Sequence, residues 1–394
     1  TILTLIQIIF IQLEMEDISV PAYFLCPISI DIMKDPVTVK SGITYDRQSI
    51  EKWLFLHKNR TCPVTKLDIS NCELIPNHTL RRLIQSWCTI NASLGVERFP
   101  TPKPLASKAQ IVNILKTSNP LEQCIKFRVI ANENESNKYC MKSAGVEEFL
   151  VSVVLQDGDT SAKEEALAVL TLLHVSELTL KLLAKEHYGG FVKSVVEIMR
   201  RGSGEARVNA IVLMESVLGF ADMGKILSLP NDVFLQTMMV LRDRLSGNGV
   251  KAALKTMIRV CRWGRNRAKA LDANAVHVLV DLLVDTSTRR TCELGLFLMD
   301  VLCQWSAGKT ALISHPAGLA VVSKKILRVS AVGDDRAMRV IASVARWSPS
   351  RKVLEELLEV GVVAKLCLVL QVRCGERVKE IANETLKLHA NTWK

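Results

Sequence analysis

The sequence predicts a mostly α-helical chain in two parts, a small α+β module followed by an α-solenoid. Three observations carry this. Only 5% of the 394 residues are aromatic and 19 are Gly, against an apolar fraction of 48%, which suits helices better than a sandwich or barrel. Strand and turn signals are confined to residues 20–91. From residue 108 onward an apolar helical pattern recurs with a fixed step. A chain of this length has room for two or three domains or one solenoid, with an ample core.

The elements follow in order. Residues 1–13 (TILTLIQIIFIQL) carry nine large apolar residues and no charge. They lack a basic leader and a small-residue cleavage site, and Met15 opens MEDISVPAYFLCP like a natural start, so residues 1–14 are expected to be an extension outside the fold. Pro36, VTVK, Ser41-Gly42 and ITYD spell a short hairpin with a glycine turn. Asp46 is placed to cap a helix through IEKWLFLHK, with Ile50, Trp53, Leu54 and His57 at helical spacing. Pro76-Asn77 opens a second helix, HTLRRLIQSWCTI, with Leu80, Leu83, Ile84 and Trp87 on one stripe. The module is bounded at 19–93. Residues 94–107 hold three alternating prolines and read as a semi-rigid linker.

Residues 108–394 repeat. SAGVEEFLVSVVL, YGGFVKSVVEIM, ANAVHVLVDLLV, PAGLAVVSKKIL and EVGVVAKLCLVL align at Gly145, Gly190, Ala275, Gly318 and Gly361, in steps of about 43 residues or twice that. PNDVFLQTMMVL fills the double step. Each unit reads as an apolar helix, a polar loop such as SGNG or VGDD, and a second apolar helix. This is armadillo or HEAT spacing, about six units, and stacking is what buries the apolar face of each.

The net charge of +11 would suit a nucleic-acid binder, but its distribution does not. Residues 1–100 carry 10 basic and 10 acidic side chains, while 251–350 carry 16 and 7. Aromatic residues interleaved with that basic region are few, three tryptophans and Phe297, so a nucleic-acid partner is not expected. Eleven Cys occur without a C-x-x-C, and Cys261, Cys303 and Cys367 fall on apolar faces, which implies a reducing, cytoplasmic setting. No run of 18 apolar residues exists.

The segment VPAYFLCPISIDIMKDPVTVKSGITYDRQSIEKWL, with CPVT and IPNHTLRRLIQSWC after it, closely resembles the U-box. The remainder, in LIQSWCTINASLGVERFPTPKP, VVSKKILRVS and GVVAKLCLVLQVRCGE, resembles the plant U-box/armadillo ubiquitin ligases, in particular their stress- and immunity-linked group. The resemblance implies a metal-free, RING-like U-box and no cofactor. The residues agree. A zinc RING needs eight ligands in close pairs, whereas Cys26, His57, Cys62, Cys72, His78 and Cys88 are singly spaced. Hydrogen bonds and salt bridges among residues such as Asp35, Asp46, Arg47 and Lys66 are expected in place of metal. The family usually carries a short Gln- or Pro-containing segment after CPVTK; LDISNCE stands here instead.

In that family two loops and the central helix form an apolar groove for a ubiquitin-charged conjugating enzyme. Carried onto this chain, the groove takes Ile28, Ile30, Trp53 and Pro63, with Lys66 at the position of a cation that touches both proteins. Ile30 and Trp53 also fit a core role, and Lys66 a surface or internal ion-pair role. No nucleophile is expected, because the thioester belongs to the conjugating enzyme. Dimerisation through the U-box is a family habit and is carried as an expectation.

SAGKT at 306–310 looks like the end of a P-loop, but Cys303 occupies the place of the first glycine. Trp263, Trp305 and Trp347 are 42 apart, each followed four residues later by a cation, Arg267, Lys309 and Arg351. Two readings stand: a ladder that binds an acidic or phosphorylated substrate segment, or tryptophans that pack neighbouring repeats beside solvated cations. The function expected is a ubiquitin-protein ligase whose repeats hold the substrate; a non-catalytic armadillo scaffold is the alternative.

Overall fold

The computed structural model describes residues 20–57, 59–70, 73–92, 96, 106–347 and 350–393. Residues 1–14, most of the 94–107 linker, and Asn71-Cys72 of LDISNCE lie outside them. The chain divides into two compact units. The first takes the residues up to Lys116 with Val129–Val146, and the second Thr117–Arg128 with Glu147 onward.

In the first unit, strands β1 (Pro36–Thr38), β2 (Thr44–Asp46) and β3 (Ile75–Pro76) form an antiparallel sheet in the order β2-β1-β3. Val37 pairs with Tyr45 and with Pro76, and the prolines sit at a strand start and on the edge strand, where no ladder donor is lost. Gly42 turns the hairpin at φ +81°, a backbone that an L side chain resists. Helix α1 (Arg47–Glu51) continues as a wider π turn over Lys52–Leu56, closed by His57 N donating to Lys52 O at 3.0 Å. Helix α2 (His78–Ile90) is capped by Asn77, whose side chain accepts from Leu80 N at 3.0 Å. Phe24, Cys26, Met33, Val37, Val39, Tyr45, Ile50, Cys62, Ile69, Ile84 and Cys88 are the core.

Three local expectations are corrected here. Asp46 precedes α1 without capping it; its carboxylate instead accepts from Lys34 N (2.8 Å) and Asp35 N (3.0 Å), tying the preceding loop to the sheet. Leu83 is exposed and His57 is exposed, so each stripe is narrower than its spacing implied; Ile84 and Cys88 carry the burial of α2. The same unit contains α3 (Lys108–Leu115), started by a Ser107/Gln110 capping box, and α5 (Glu135–Ser143), capped by Asn134. Helix α4 (Pro120–Glu133) precedes α5.

After the first part of α4, the second unit continues with α6 (Val146–Leu155) and α7 (Thr160–Leu173). Five triplets follow, in each of which the third helix is the longest: α8 (Glu177–Lys185), α9 (Tyr188–Arg201), α10 (Gly204–Leu218); then α11 (Met223–Leu227), α12 (Asn231–Asp243), α13 (Gly247–Val260). Next come α14 (Gly264–Asp272), α15 (Ala275–Asp285), α16 (Arg289–Leu302), and α17 (Ser306–Ser314), α18 (Gly318–Lys325), α19 (Ala331–Trp347). The last is α20 (Arg351–Glu359), α21 (Val362–Gln371), α22 (Glu376–Leu388). The long helices α7, α10, α13, α16, α19 and α22 pack in sequence as one layer, and α9, α12, α15 and α18 as another. Lysines stitch the repeats: Lys269 Nζ reaches Leu229 O at 2.5 Å and Lys325 Nζ reaches Thr286 O at 2.8 Å.

The short helices were not in the expected two-helix unit. GRNRAKALD buries only Asn266 and Ala270, too little apolar surface to show a period. SGNG and VGDD are first turns of α13 and α19 rather than loops, with Ser246 Oγ accepting from Gly249 N at 3.0 Å. Asn274, not Ala275, matches Gly145 and Gly361: these three sit at φ +61°, +82° and +74° between short and middle helices. Cys261 and Cys303 are buried, but Cys367 is exposed on α21.

Candidate functional site

Two loops of the first unit have one design. CPISID (26–31) and CPVTKL (62–67) each fold back on their cysteine. Cys26 N donates to Asp31 O (2.9 Å) and Ile30 N to Cys26 O (2.8 Å); Cys62 N donates to Leu67 O (2.8 Å) and Lys66 N to Cys62 O (3.0 Å). Ile30 and Lys66 hold the same left-handed backbone, φ +62° and +61°. A β-branched residue there is strained, and such strain persists only where the surroundings impose it. Isolated bridges Leu25–Ile32 and Thr61–Asp68 close the neck of each loop.

Strand β2 holds both loops by their sulfurs. Asp46 N donates to Cys26 Sγ at 3.3 Å, and the Tyr45 hydroxyl shares a hydrogen bond with Cys62 Sγ at 3.0 Å. Ser41 Oγ (3.1 Å) and Thr65 N (3.4 Å) also donate to Cys62 Sγ. Burial alone would push this thiol up; the donors from Ser41, Thr65 and Tyr45 outweigh it and bring it down to about 6. Burial and the Cys62 bond together raise the Tyr45 phenol. Arg47 Nε pairs with Asp35 at 2.6 Å, and Arg81 adds a contact to Asp35 at 3.6 Å. Hydrogen bonds and ion pairs thus occupy the positions around both cysteines. Among the described residues no three His, Cys, Asp or Glu side chains are placed to hold a metal ion.

The expected contact residues distribute around these loops. Ile28 is half-buried and packs on the core, while Ile30 is 75% exposed and takes no part in it. Trp53 is half-buried on the π turn, and its Nε1 donates to Thr61 O at 2.8 Å, fixing the helix to the neck of the second loop. Pro63 is half-buried. Lys66 is exposed and donates to Pro63 O at 2.8 Å, so its one recorded tie is a carbonyl of its own loop. The arrangement presents apolar side chains on hydrogen-bonded turns. Val64, in the second loop where Ile28 stands in the first, is 52% exposed, and Leu67 beside it is 58% exposed. The sequence reading passed over both; the repeated Cys-Pro-aliphatic-hydroxyl tetrapeptide was the signal that could have found Val64.

The tryptophan positions lie in the second unit at the junctions of long and short helices. Trp263 and Trp305 directly precede α14 and α17, and Trp347 ends α19. Two of the three cations reach forward to the next tryptophan: the Arg267 guanidinium is 5.4 Å from the Trp305 ring centroid, and Lys309 Nζ is 5.7 Å from that of Trp347. Arg267 also donates to Gln304 Oε1 at 3.1 Å. Trp305 lies over Gly264, where an added Cβ would stand 2.6 Å from its Cζ2. Arg267 with Trp305 and Lys309 with Trp347 are therefore two successive cation–ring pairs, a short spine along the repeats in which Trp263 has no such contact among the described residues. Arg351 leaves it, pairing with Glu355 at 2.7 Å. A cavity of about 590 Å³ adjoins the spine, lined by Lys309 and Trp347 with three arginines, two of which pair with carboxylates of the same lining, Arg339 with Asp300 and Arg346 with Glu384. SAGKT forms the start of α17 after a helix, not a strand, which removes a P-loop.

Comparison with known proteins agrees with this geometry. Residues 20–93 match the family model of the U-box domain, and residues 109–394 that of the plant U-box protein ARM repeat region. The chain is 49% identical to E3 ubiquitin-protein ligase PUB23 of Arabidopsis thaliana over 96% of this chain and 95% of that one. It is 44% identical to E3 ubiquitin-protein ligase PUB22 of the same plant, over 96% of each. Among solved structures, an engineered protein aligns over 77% of this chain and 70% of its own at TM-score 0.52 and 16% identity, a likeness of fold alone. The two matched models span both units, and the chain belongs to the U-box E3 ubiquitin-protein ligase family with ARM repeats.

Proposed function

We propose that this chain docks a ubiquitin-charged conjugating enzyme on its two Cys-Pro loops and promotes transfer of ubiquitin to a lysine of a protein substrate held by the repeats. The observation that carries the reading is the paired loop design, with Ile28, Ile30, Trp53, Pro63 and Val64 on turns fixed by β2 and Thr61. No residue of this chain carries ubiquitin as a thioester intermediate. The loops hold the partner's thioester in one pose, and orientation with added hydrogen bonds lowers the barrier to aminolysis. Lys66 fits the orienting role: one donor is used on Pro63 O, and its ammonium keeps two more.

The repeats take the substrate, and the spine with its cavity suits an acidic or phosphorylated segment. Trp305 and Trp347 are 39% and 41% exposed, and Lys309 has no carboxylate partner among the described residues. The setting is cytoplasmic, in plant defence or stress signalling, with U-box dimerisation as the family habit.

Reconstitution with activating and conjugating enzymes tests the first part. The parent chain discharges ubiquitin from the conjugating enzyme; Ile28→Ala and Pro63→Ala abolish this while keeping the parent's circular dichroism. Equal discharge by parent and variants refutes docking at these loops. Reversal of Arg267 and Lys309 to Glu weakens substrate binding and spares discharge; unchanged substrate affinity dismisses the spine as a binding face.

A further inference from the structure

We infer that Glu51 is a positioning residue: it latches the U-box to helix α5 and so restricts which lysines a docked ubiquitin thioester reaches. The inference rests on the transferase reading above. Glu51 is fully buried, and its carboxylate accepts from Glu135 N (3.1 Å), Ser136 N (3.2 Å) and the Ser136 hydroxyl. These are the first amides of α5, the end of a helix that favours a negative charge. A second contact lies one turn further on: the Phe55 and Tyr139 rings stack at 5.3 Å between centroids, with planes 18° apart.

The latch is continuous with the docking surface. Glu51 and Trp53 are two residues apart on one helical segment, and Trp53 is bonded to the second loop through Thr61 O. On the other side, α5 is tied through Asn137, which donates to Ile130 O (3.1 Å) and accepts from Ala106 N (2.9 Å). Docking itself uses neither Glu51 nor α5.

The chemistry argues for orientation rather than stability. Burial pushes the Glu51 carboxyl above the ordinary carboxylate range, against the opposing pull of Ser136, Arg47 and Glu135. A buried ion is held at a cost, and an apolar contact of similar volume would stabilise as well or better. Three hydrogen bonds to one carboxylate fix direction, which an apolar contact does not.

The test uses the full chain with Ser136→Asp, Tyr139→Ala and Glu51→Gln. Aspartate at Ser136 places a second carboxylate against Glu51, yet favours α5 itself, since an acidic residue in a first turn suits the helix. Three readouts are taken: exchange of the Glu135 and Ser136 amides, discharge of ubiquitin to free lysine, and the map of self-modified lysines by mass spectrometry. In the parent the two amides are protected and a restricted lysine set is modified. Ser136→Asp and Tyr139→Ala speed amide exchange at least tenfold and spread modification to lysines untouched in the parent, with discharge within twofold. Glu51→Gln, which keeps an acceptor oxygen for the amides, returns the parent map. Unprotected amides in the parent, or a parent lysine map in a variant whose amides exchange freely, overturn the latch. Absence of discharge in the parent overturns the transferase reading and the latch's role in lysine choice with it, while amide exchange still reports whether the contact exists.

Discussion

Gly308→Ala is predicted to destabilise the repeat unit although it places alanine in a helix. Gly308 is the third residue of α17 and is buried. An added Cβ would come within 3.0 Å of Leu302 O, 2.7 Å from Leu302 C and 3.2 Å from Cys303 N. These are backbone atoms at the end of α16, so no side chain can swing aside. Asn266, which lies 42 residues earlier, solves the same seam differently: its Nδ2 donates to Val260 O (3.1 Å) and Ile226 O (3.0 Å), so an amide bridges the gap that Gly308 closes by contact. Overpacking costs ~1–3 kcal/mol, and rigid backbone on the facing side puts this site at the upper end. The helix preference of Ala over Gly returns about 1 kcal/mol. The net loss is about 2 kcal/mol, which for a unit of this size lowers Tm by roughly 4–8 °C. Thermal unfolding by far-UV circular dichroism measures it. Gly189→Ala is the control: it lies in the first turn of α9 with nothing within 4 Å of the added Cβ. It should gain about 0.5–1 kcal/mol. A Gly308→Ala protein that melts at or above the parent refutes the close approach of α17 to Leu302.

Three further outcomes are expected. Arg47→Ala leaves buried Glu51 without its cation and Asp35 with only the longer contact to Arg81, and should cost about 3–5 kcal/mol of U-box stability in urea unfolding; a chelator should change neither that midpoint nor ubiquitin discharge. The Cys62 thiol, at about 6 when folded against an ordinary value of 9.0, contributes stability above pH 9 that is lost as pH falls through 6. Urea midpoints taken across that window should fall for the parent and stay level for Cys62→Ala; parallel curves refute the assignment. A double-mutant cycle on Arg267→Ala and Trp305→Ala should return a coupling of about 0.5–1 kcal/mol, and additivity would mean that the stacking is not felt.

Ile28, Ile30, Trp53, Pro63 and Lys66 were legible through the resemblance to the U-box, which CPIS and CPVT carry in chain order. The shape of the turns depends on more than those segments, because Asp46 N and the Tyr45 hydroxyl hold the two cysteine sulfurs from β2. Val64 was overlooked although its tetrapeptide repeats that of Ile28. The exposure of Ile30 was undecided, since a lone isoleucine reads as core until its backbone is seen at φ +62°. A 42-residue spacing pointed to the tryptophans, but not to the pairing of Arg267 and Lys309 with the following tryptophan or of Arg351 with Glu355.

The sequence by itself determined the two-part architecture, the hairpin and both helices of the first module, the repeat period and the absence of zinc spacing. Those features rest on periodicity, turn chemistry and ligand counting, which act over a few residues or over a fixed repeat. Only the tertiary structure decided the rest. The short polar helices α8, α11, α14, α17 and α20 acquire their place by packing between longer ones, and GRNRAKALD has too few apolar residues to announce a helix. Asp46 serves the loop before it because Lys34 N and Asp35 N are brought closer than the amides after it. Glu51 reads as a surface residue of an amphipathic turn. It is buried because α5, 84 residues on, brings its first amides to the carboxylate, and no local pattern encodes a partner at that distance.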